Sequence, residues 1–452
     1  MKHKKMIMAM LLALLPLSVM AQRQWTLDEC MDYAIGHNTD IMHLQNKQRR
    51  REIDAQASKD ARLPRFSGDI DGYLGKIHHS SNGNRFDAKE VLVNMGVIGY
   101  MPLYTGNRLS SQIKASRYSV LAAAEDVLSA EKNIKVQVAA AYLQVLYNKG
   151  EVSIARGRQA VAQQLLQQAR LLYEKGKRPE SDVVEATAMV SRDEALLVAA
   201  ESDVAMATLD LRLLMNLPDT VAFDVSQSTD TMNAVPALPP EALYTQTVAR
   251  HPALQSARYG ILQAEQGVTI ARSGYYPTLS IAGALGTNWV NLDTKASSPD
   301  GTTFQTPLEN LLKLNFDTDW KWKNFLFGYV GLRLSIPIFN AFETRARIRT
   351  AKVHLEDARL AHNDARQRIN KDIRQAWQAA LTASRRYEAE IRSEESSALA
   401  YRYAQKRYDA GMATLFDLNQ IRQQWFTASE NALRMKYEYL IRKRILDIQA
   451  SE

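Results

Sequence analysis

The sequence predicts a mixed helical and β membrane protein that carries an internal tandem repeat. Three observations predict it. Two helical stretches of about 69 residues carry apolar residues at spacings of three and four, and each ends at a glycine and returns over about half its length. Four segments of about ten residues alternate apolar and polar positions, the period of a strand with one greasy side. Both halves of the chain run helix, proline, strand, loop, strand, proline, long helix, glycine tip, half-length helix. The counterparts Pro64 and Pro277 stand 213 residues apart, whereas Pro102 and Pro337, Gly176 and Gly411, and Asp182 and Asp417 all stand 235 apart. The 22 extra residues therefore fall in the second hairpin loop and none in the helices, as a duplication with arms held to one length requires.

In chain order, residues 1–21 are expected to be a secretory signal. Lys2, Lys4 and Lys5 form its basic region, Met6 to Leu17 its apolar run and Val19-Met-Ala21 its cleavage site. Three of the eight net positive charges lie there, leaving +5 for the mature chain, spread along helices among acids. That pattern is a solvated helix face and gives no footprint for nucleic acid. No later stretch is apolar enough for a membrane helix. Cys30, the single cysteine, stands in an acidic context well past the cleavage site, so neither a disulfide framework nor an acyl anchor is expected.

Residues 22–216 are expected to form the first repeat. A helix spans Trp25 to Arg62, with Thr26 and Glu29 spaced as a capping box. Leu63-Pro64 breaks it. A strand from Phe66 to Gly75 places Gly68, Ile70, Gly72 and Leu74 opposite Asp69 and Asp71. A polar loop from Lys76 to Lys89 precedes a second strand, Val91 to Met101, which Pro102 closes; this hairpin covers residues 66–101. The long helix, 106–175, runs into the tip Tyr173-Glu-Lys-Gly-Lys-Arg-Pro-Glu-Ser-Asp182, where Gly176 stops it and Pro179 suits the first turn of the return helix. Residues 217–240 read as a proline-rich linker. Residues 241–452 form the second repeat: a helix to Tyr276, a hairpin over 279–338 with a long polar loop to about Lys323, a long helix over 341–409, the tip Tyr408-Asp-Ala-Gly-Met-Ala-Thr-Leu-Phe-Asp417, and a last helix from Leu415. Thr414 and Asp417 are spaced to cap that last helix.

Strands of this length span a bilayer when tilted. Their apolar faces carry no charge, while Asp69, Asp71 and Arg333 fall on the other face, where a barrel has its lumen. Four strands cannot close a barrel, so several chains must pool theirs. Long helices with narrow, alanine-rich seams suit packing around a cylinder, and a cylinder joined to a barrel makes a tunnel. A soluble antiparallel sheet packed on helices is the competing arrangement.

On these residues the chain resembles the TolC family of outer-membrane efflux ducts over essentially its whole mature length. The resemblance implies a homotrimer with a 12-stranded transmembrane β-barrel, four strands per chain, and a helical α-barrel tunnel in the periplasm. It implies an equatorial band formed by the linker and the chain ends. It also implies tips that close like an iris and dock a periplasmic adaptor (a membrane fusion protein), which links the duct to an inner-membrane pump of the RND or ABC type. Asp417 matches the first acid of the family's constriction ring, and Gln420 stands where the second acid would be. Tyr408 and Asp182 match a latching pair, and Ser181 the residue beside that acid. The family's latching arginine falls at Ala413, with Arg178 the candidate replacement. Gly176 and Gly411, with Lys177 and Met412, match the tip turns where an adaptor docks. Simple helix capping is the alternative role for Asp182 and Asp417.

No cofactor, metal site or catalytic constellation is expected. His78-His79 lacks a third ligand at fixed spacing, and neither a phosphate-binding glycine loop nor a nucleophile motif occurs. The expected function is the passive exit duct of a tripartite efflux pump for small toxic compounds. A duct for type I protein secretion and a periplasmic coiled-coil scaffold are the alternatives.

Overall fold

A computed structural model describes residues 24–81, 84–226, 239–296 and 326–450. They fall into two compact units. One comprises the chain up to Gln48, Ala122–Arg258 and the chain from Ala361; the other comprises Arg49–Leu121 and Tyr259–Leu360. In order, the elements are β1 (Gln24–Trp25), α1 (Leu27–His37), α2 (Thr39–Asp60), β2 (Arg65–Ser81), β3 (Asn84–Tyr104), α3 (Arg108–Glu174), α4 (Glu180–Met215) and β4 (Asp224–Val225). There follow α5 (Pro240–Val248), α6 (Pro252–Arg272), a 3-10 turn at Ser273–Tyr275, β5 (Thr278–Ala296), β6 (Leu326–Ser335), α7 (Glu343–Asp409) and α8 (Leu415–Ala450). The long helices α3 and α7 both have 67 residues, and the return helices α4 and α8 both have 36.

The first unit is helical. Thr26 and Glu29 form the expected capping box on α1. The first helix is nevertheless two helices, because Asn38 adopts an extended conformation and its side chain accepts from the Asp40 amide at 2.9 Å, which restarts the chain as α2. Trp25 lies outside the helix, in β1, which pairs in parallel with β4. The buried Tyr142 hydroxyl on α3 lies within donating distance of the carbonyls of Trp25, 3.0 Å, and Ser226, 2.7 Å, and so ties the chain start to the linker. The linker's other described end, α5, packs Leu243 in one apolar cluster with Leu446 of α8 and Ile369 and Ile373 of α7. The stretch expected as one helix from Glu241 is also two, divided between Val248 and Pro252, because a proline disfavours helical geometry in the residue before it.

The second unit holds a four-stranded antiparallel sheet in the order β2-β3-β5-β6. Its register unites the four alternating patterns. Gly68 pairs with Val97, Val97 with Leu285 and Leu285 with Gly328, while Ile281 pairs with Leu332. One face therefore carries Phe66, Ile70, Leu74, Met95, Val97, Leu285, Val330 and Leu332, and Asp69, Asp71 and Arg333 all stand on the other. The strands outrun the expected ones. β2 continues to Ser81 and β3 begins at Asn84, so the expected polar loop from Lys76 is mostly paired strand. Ladder hydrogen bonds belong to the main chain and persist where apolar alternation stops. His78 and His79 lie in that strand rather than in a loop, with side chains outside the described residues. Pro102 does not close β3. The strand passes it with a register shift between Pro102 and Tyr104, the irregularity a residue without an N–H brings to a ladder. β6 ends at Ser335, before Pro337, and most of the second loop lies outside the described residues.

Cys30 is fully buried in the core of the first unit, and burial, with Glu29 nearby, pushes its thiol up to about 12. The thiol therefore stays protonated at neutral pH. The folded protein is expected to resist a maleimide at pH 8 and to react fully once unfolded in urea, as mass spectrometry would show; rapid labelling of folded protein would contradict this burial.

Candidate functional site at the paired helical tips

Both tips are built by the same local chemistry. Gly176 has φ +65° and Gly411 φ +78°, the left-handed region that only glycine enters without strain. The Gly176 amide donates to Tyr173 O at 2.8 Å and the Lys177 amide to Leu172 O at 2.9 Å. At the second tip the Gly411 amide donates to Tyr408 O and the Met412 amide to Arg407 O, at 2.9 and 2.8 Å. Each is a Schellman closure, which satisfies the last carbonyls of a long helix and reverses the chain. A Cβ at either glycine would meet nothing within 4 Å, so backbone conformation alone demands glycine there. Lys177, Met412 and Ser181 are all exposed.

The outgoing helices start differently. The Thr414 hydroxyl accepts from the Asp417 amide at 3.2 Å and the Thr414 amide donates to Asp417 Oδ2 at 3.1 Å, a complete capping box on α8, and the hydroxyl also donates to that oxygen at 2.7 Å. The hydrogen bonds from Thr414 hold the exposed Asp417 carboxyl below its usual range, and Arg407 adds to this. Pro179 stands at the cap itself, one residue before the expected first turn, and no side chain caps α4. Asp182 does not cap. Its Oδ2 is buried without a hydrogen-bond partner, as is the hydroxyl of the buried Tyr408. Burial first, and then the Asp182 charge, raises the Tyr408 pKa, so the two groups are neighbours without a hydrogen bond between them.

Arg178 joins the tips. Its guanidinium lies over the Tyr408 ring, 4.9 Å from the centroid, and donates to the carbonyl of Ala413 at 3.0 Å. The first tip thus holds the backbone of the second at Ala413. Gln168 on α3 donates to Asp409 on α7 at 2.8 Å, and Ala169, Ala186, Tyr408, Leu415 and Leu418 share one apolar cluster. Gln420 lies apart from this junction. It lines an open groove of about 680 Å³ between α7 and α8 with Ser393, Ser397, Asn419, Gln423 and Gln424, none of them charged.

Sequence reading missed the strongest polar contact in this region. Arg422 of α8 and Asp193 of α4, both fully buried, meet at 2.7 Å. Arg422 also donates to the carbonyl of Arg158 on α3 and to Asn419, each at 3.3 Å. Arg158 is itself buried, lies over the Phe426 ring and pairs with Glu430 at 2.9 Å. A signal existed. Arg422 continues the buried stripe Leu415, Leu418, Phe426, and Asp193 continues Ala186, Met189, so opposite charges interrupt two apolar seams.

Among the described residues no helix is long and apolar enough to cross a membrane, which says nothing of a β-barrel. A sheet with an apolar face from Phe66 to Leu74 and its paired positions, in a chain that also folds two helical hairpins of matched length, fits the class of outer-membrane export channels. The chain belongs to the outer membrane efflux protein family, whose sequence model matches residues 31–217 and 243–447 and skips the linker. It is therefore a protein of the outer membrane. It is 24% identical to the outer membrane efflux protein BepC of Brucella suis over 61% of this chain and 54% of that one. It is 24% identical to the alkaline protease secretion protein AprF of Pseudomonas aeruginosa over 69% and 60%, so it spans somewhat over half the length of these two relatives. To the outer membrane protein TolC of Vibrio cholerae it is 22% identical over 86% and 84%. Solved structures share the fold: CusC, with TM-score 0.76 at 16% identity over 94% of this chain and 91% of that one, and the Campylobacter jejuni channel CmeC, with TM-score 0.74 at 18% identity over 94% and 85%.

Two outcomes test this construction. Gly176→Ala or Gly411→Ala should each lower stability by about 1–2 kcal/mol, read as a drop in unfolding temperature. Arg422→Ala should cost about 3–5 kcal/mol, whereas the double change Arg422→Met with Asp193→Leu should return close to wild type, because it removes both charges together. Equal loss in single and double variants would show that the pair does not stand alone.

Proposed function

We propose that the chain works as a homotrimeric exit duct. It passively conducts small toxic compounds that a periplasmic adaptor and an inner-membrane pump deliver to its tips. One observation carries this reading. From Phe66 to Leu74 and at the positions paired with them the sheet presents an apolar face without charge, yet among the described residues it ends in two open edges, β2 and β6. In lipid an open edge leaves ladder groups unpaired, so the strands of further copies must complete it. The helices support closure by copies as well. Val184, Val198, Met206, Leu209 and Leu213 form an exposed apolar line along α4 that none of the described residues covers. In this duct Asp69, Asp71 and Arg333 face the barrel lumen, Asp417 supplies one ring of carboxylates at the entrance, and Gln420 leaves the next position neutral. Gly176, Gly411, Lys177 and Met412 present the docking surface for the adaptor, whose pump is of the RND or ABC type. Arg178, with Tyr408, Asp182 and Ser181, holds the tips in their resting arrangement. The likeness to AprF, named for protease secretion, supports type I protein export as a second reading of the same duct.

Photocrosslinking in living cells from Lys177 or Met412 tests the assignment. Capture of an adaptor with a proton-driven pump is expected; an adaptor with an ATP-driven exporter would select secretion, and no envelope partner would sink both. In planar bilayers Asp417→Ala should weaken block by divalent cations from the tip side. Because Thr414 holds the Asp417 carboxyl below its ordinary range, wild-type block should stay level from pH 8 to 5 and fade only below about pH 4. Arg178→Ala should raise resting conductance, while Tyr408→Phe, which removes a hydroxyl without a partner, should change it little.

A further inference from the structure

The sheet face opposite the apolar one is divided by charge. The register places Arg65, Asp69 and Asp71 of β2 and Arg333 of β6 on it together. Arg65 opens β2, and Arg333 stands two residues before the end of β6. Both cations therefore lie at the end of the sheet where the chain joins helices α2 and α7. The acids lie further along. Asp69 is four residues from Arg65 on β2, roughly 14 Å, and Asp71 is six, roughly 20 Å. Both separations exceed the Debye length of about 8 Å in physiological salt, so these acids do not neutralise the arginine. Asp69 instead accepts from the Ser67 hydroxyl at 3.3 Å. Arg65 and Arg333 are both exposed, and neither is paired with an acid among the described residues. The helix ends next to the strands add the same sign. Arg62, Arg108, Arg272 and Arg345 are exposed, while the nearest acids are engaged, Asp60 by Gln56 at 2.8 Å and Glu343 by Arg347.

The two arginines stand on the two open edge strands, one on β2 and one on β6. When copies close the sheet into a barrel, β6 of one copy meets β2 of the next. Arg333 and Arg65 then face the lumen from adjoining strands at each junction, six cations around three copies. Like charges on neighbouring strands repel, and an anion between them relieves the repulsion. There is room for one. Ala282 and Gly331 share a register row with Arg65 and Tyr100, and a Cβ on Gly331 would meet nothing within 4 Å. The exposed ring of Tyr100, paired directly with Arg65, sets an apolar plane beside the charge. Cations, a flat ring and an open floor together complement a small organic anion with an apolar body, such as a carboxylate or sulfonate.

We infer that Arg65 and Arg333 form a basic collar in the lumen at the helical end of the barrel, and that this collar passes small organic anions ahead of cations. The inference rests on reading three copies as one barrel, and it names the charge class of the cargo that the duct conducts. A passage lined by one sign of charge concentrates the opposite ion within it, so the collar acts by raising the local concentration of anionic cargo.

Single channels in planar bilayers test it, all carrying Asp417→Ala so that the entrance acid does not mask the collar. Under a gradient of potassium benzoate the reversal potential gives the permeability of benzoate relative to potassium. The double change Arg65→Gln with Arg333→Gln should lower that ratio by roughly threefold or more. Arg65→Lys with Arg333→Lys, which keeps the charge, should leave it near its starting value. An unchanged ratio in the glutamine channel, or an equal loss in the lysine channel, would overturn the collar. A chain that forms no conducting assembly even with both arginines in place would instead overturn the barrel reading beneath it. Should the glutamine channel fail to assemble, Arg333→Cys can be labelled with charged methanethiosulfonates, since Cys30 is fully buried. A cationic adduct should raise the benzoate ratio and an anionic adduct lower it; equal effects of the two would defeat the proposal.

Discussion

A charged pair with no exposure to water has one acceptable partner arrangement. Arg422 and Asp193 meet that condition, and the carbonyl of Arg158 makes the arrangement three-sided. If α8 slid by one turn against α3 and α4, both charges would stay in the apolar interior without each other. An apolar seam of alanine and leucine tolerates such a slip far better, because one small residue replaces another at each step. The pair thus fixes which layer of α8 faces which layer of the first hairpin. The tip contacts, from Arg178 to Ala413 and from Gln168 to Asp409, can form only in that register.

Much of this was legible in the sequence, because the repeat made each half a check on the other. Gly176 and Gly411 announced the two reversals, and Pro64 and Pro277 the starts of β2 and β5, whereas Pro102 failed to mark the end of β3. The alternation of Phe66 to Leu74 predicted a face that the sheet register later assembled from four strands. What was not legible depended on pairing. No spacing rule says that β3 lies beside β5, which is 194 residues further along from strand start to strand start, nor that opposite charges in two apolar stripes would meet. Asn38 was hidden for a different reason. A short polar side chain that bonds its own backbone can interrupt a helix without any proline or glycine to advertise it.

The site shows the same division. Thr414 and Asp417 are local, three residues apart, and their cap was readable as a motif. Asp182 looked equivalent by position, yet Pro179 and not a hydroxyl precedes its helix, so its carboxylate turns inward beside Tyr408 and caps nothing. Two acids at matching places in a duplicated plan have therefore diverged, one held at the surface by its cap and one with a carboxylate oxygen buried near Tyr408. The Arg178 contact is a further divergence, since a side chain from the first copy holds the backbone of the second.

The equality of the arms, 67 and 36 residues in both hairpins, sets where this gene can change its length. A single inserted residue in a helix turns everything beyond it by about 100° and carries the tip out of line with its twin. The same insertion beyond the paired part of a strand hairpin moves nothing that packs. Growth by insertion is confined to the ends of the hairpins, and the second copy has already used that freedom.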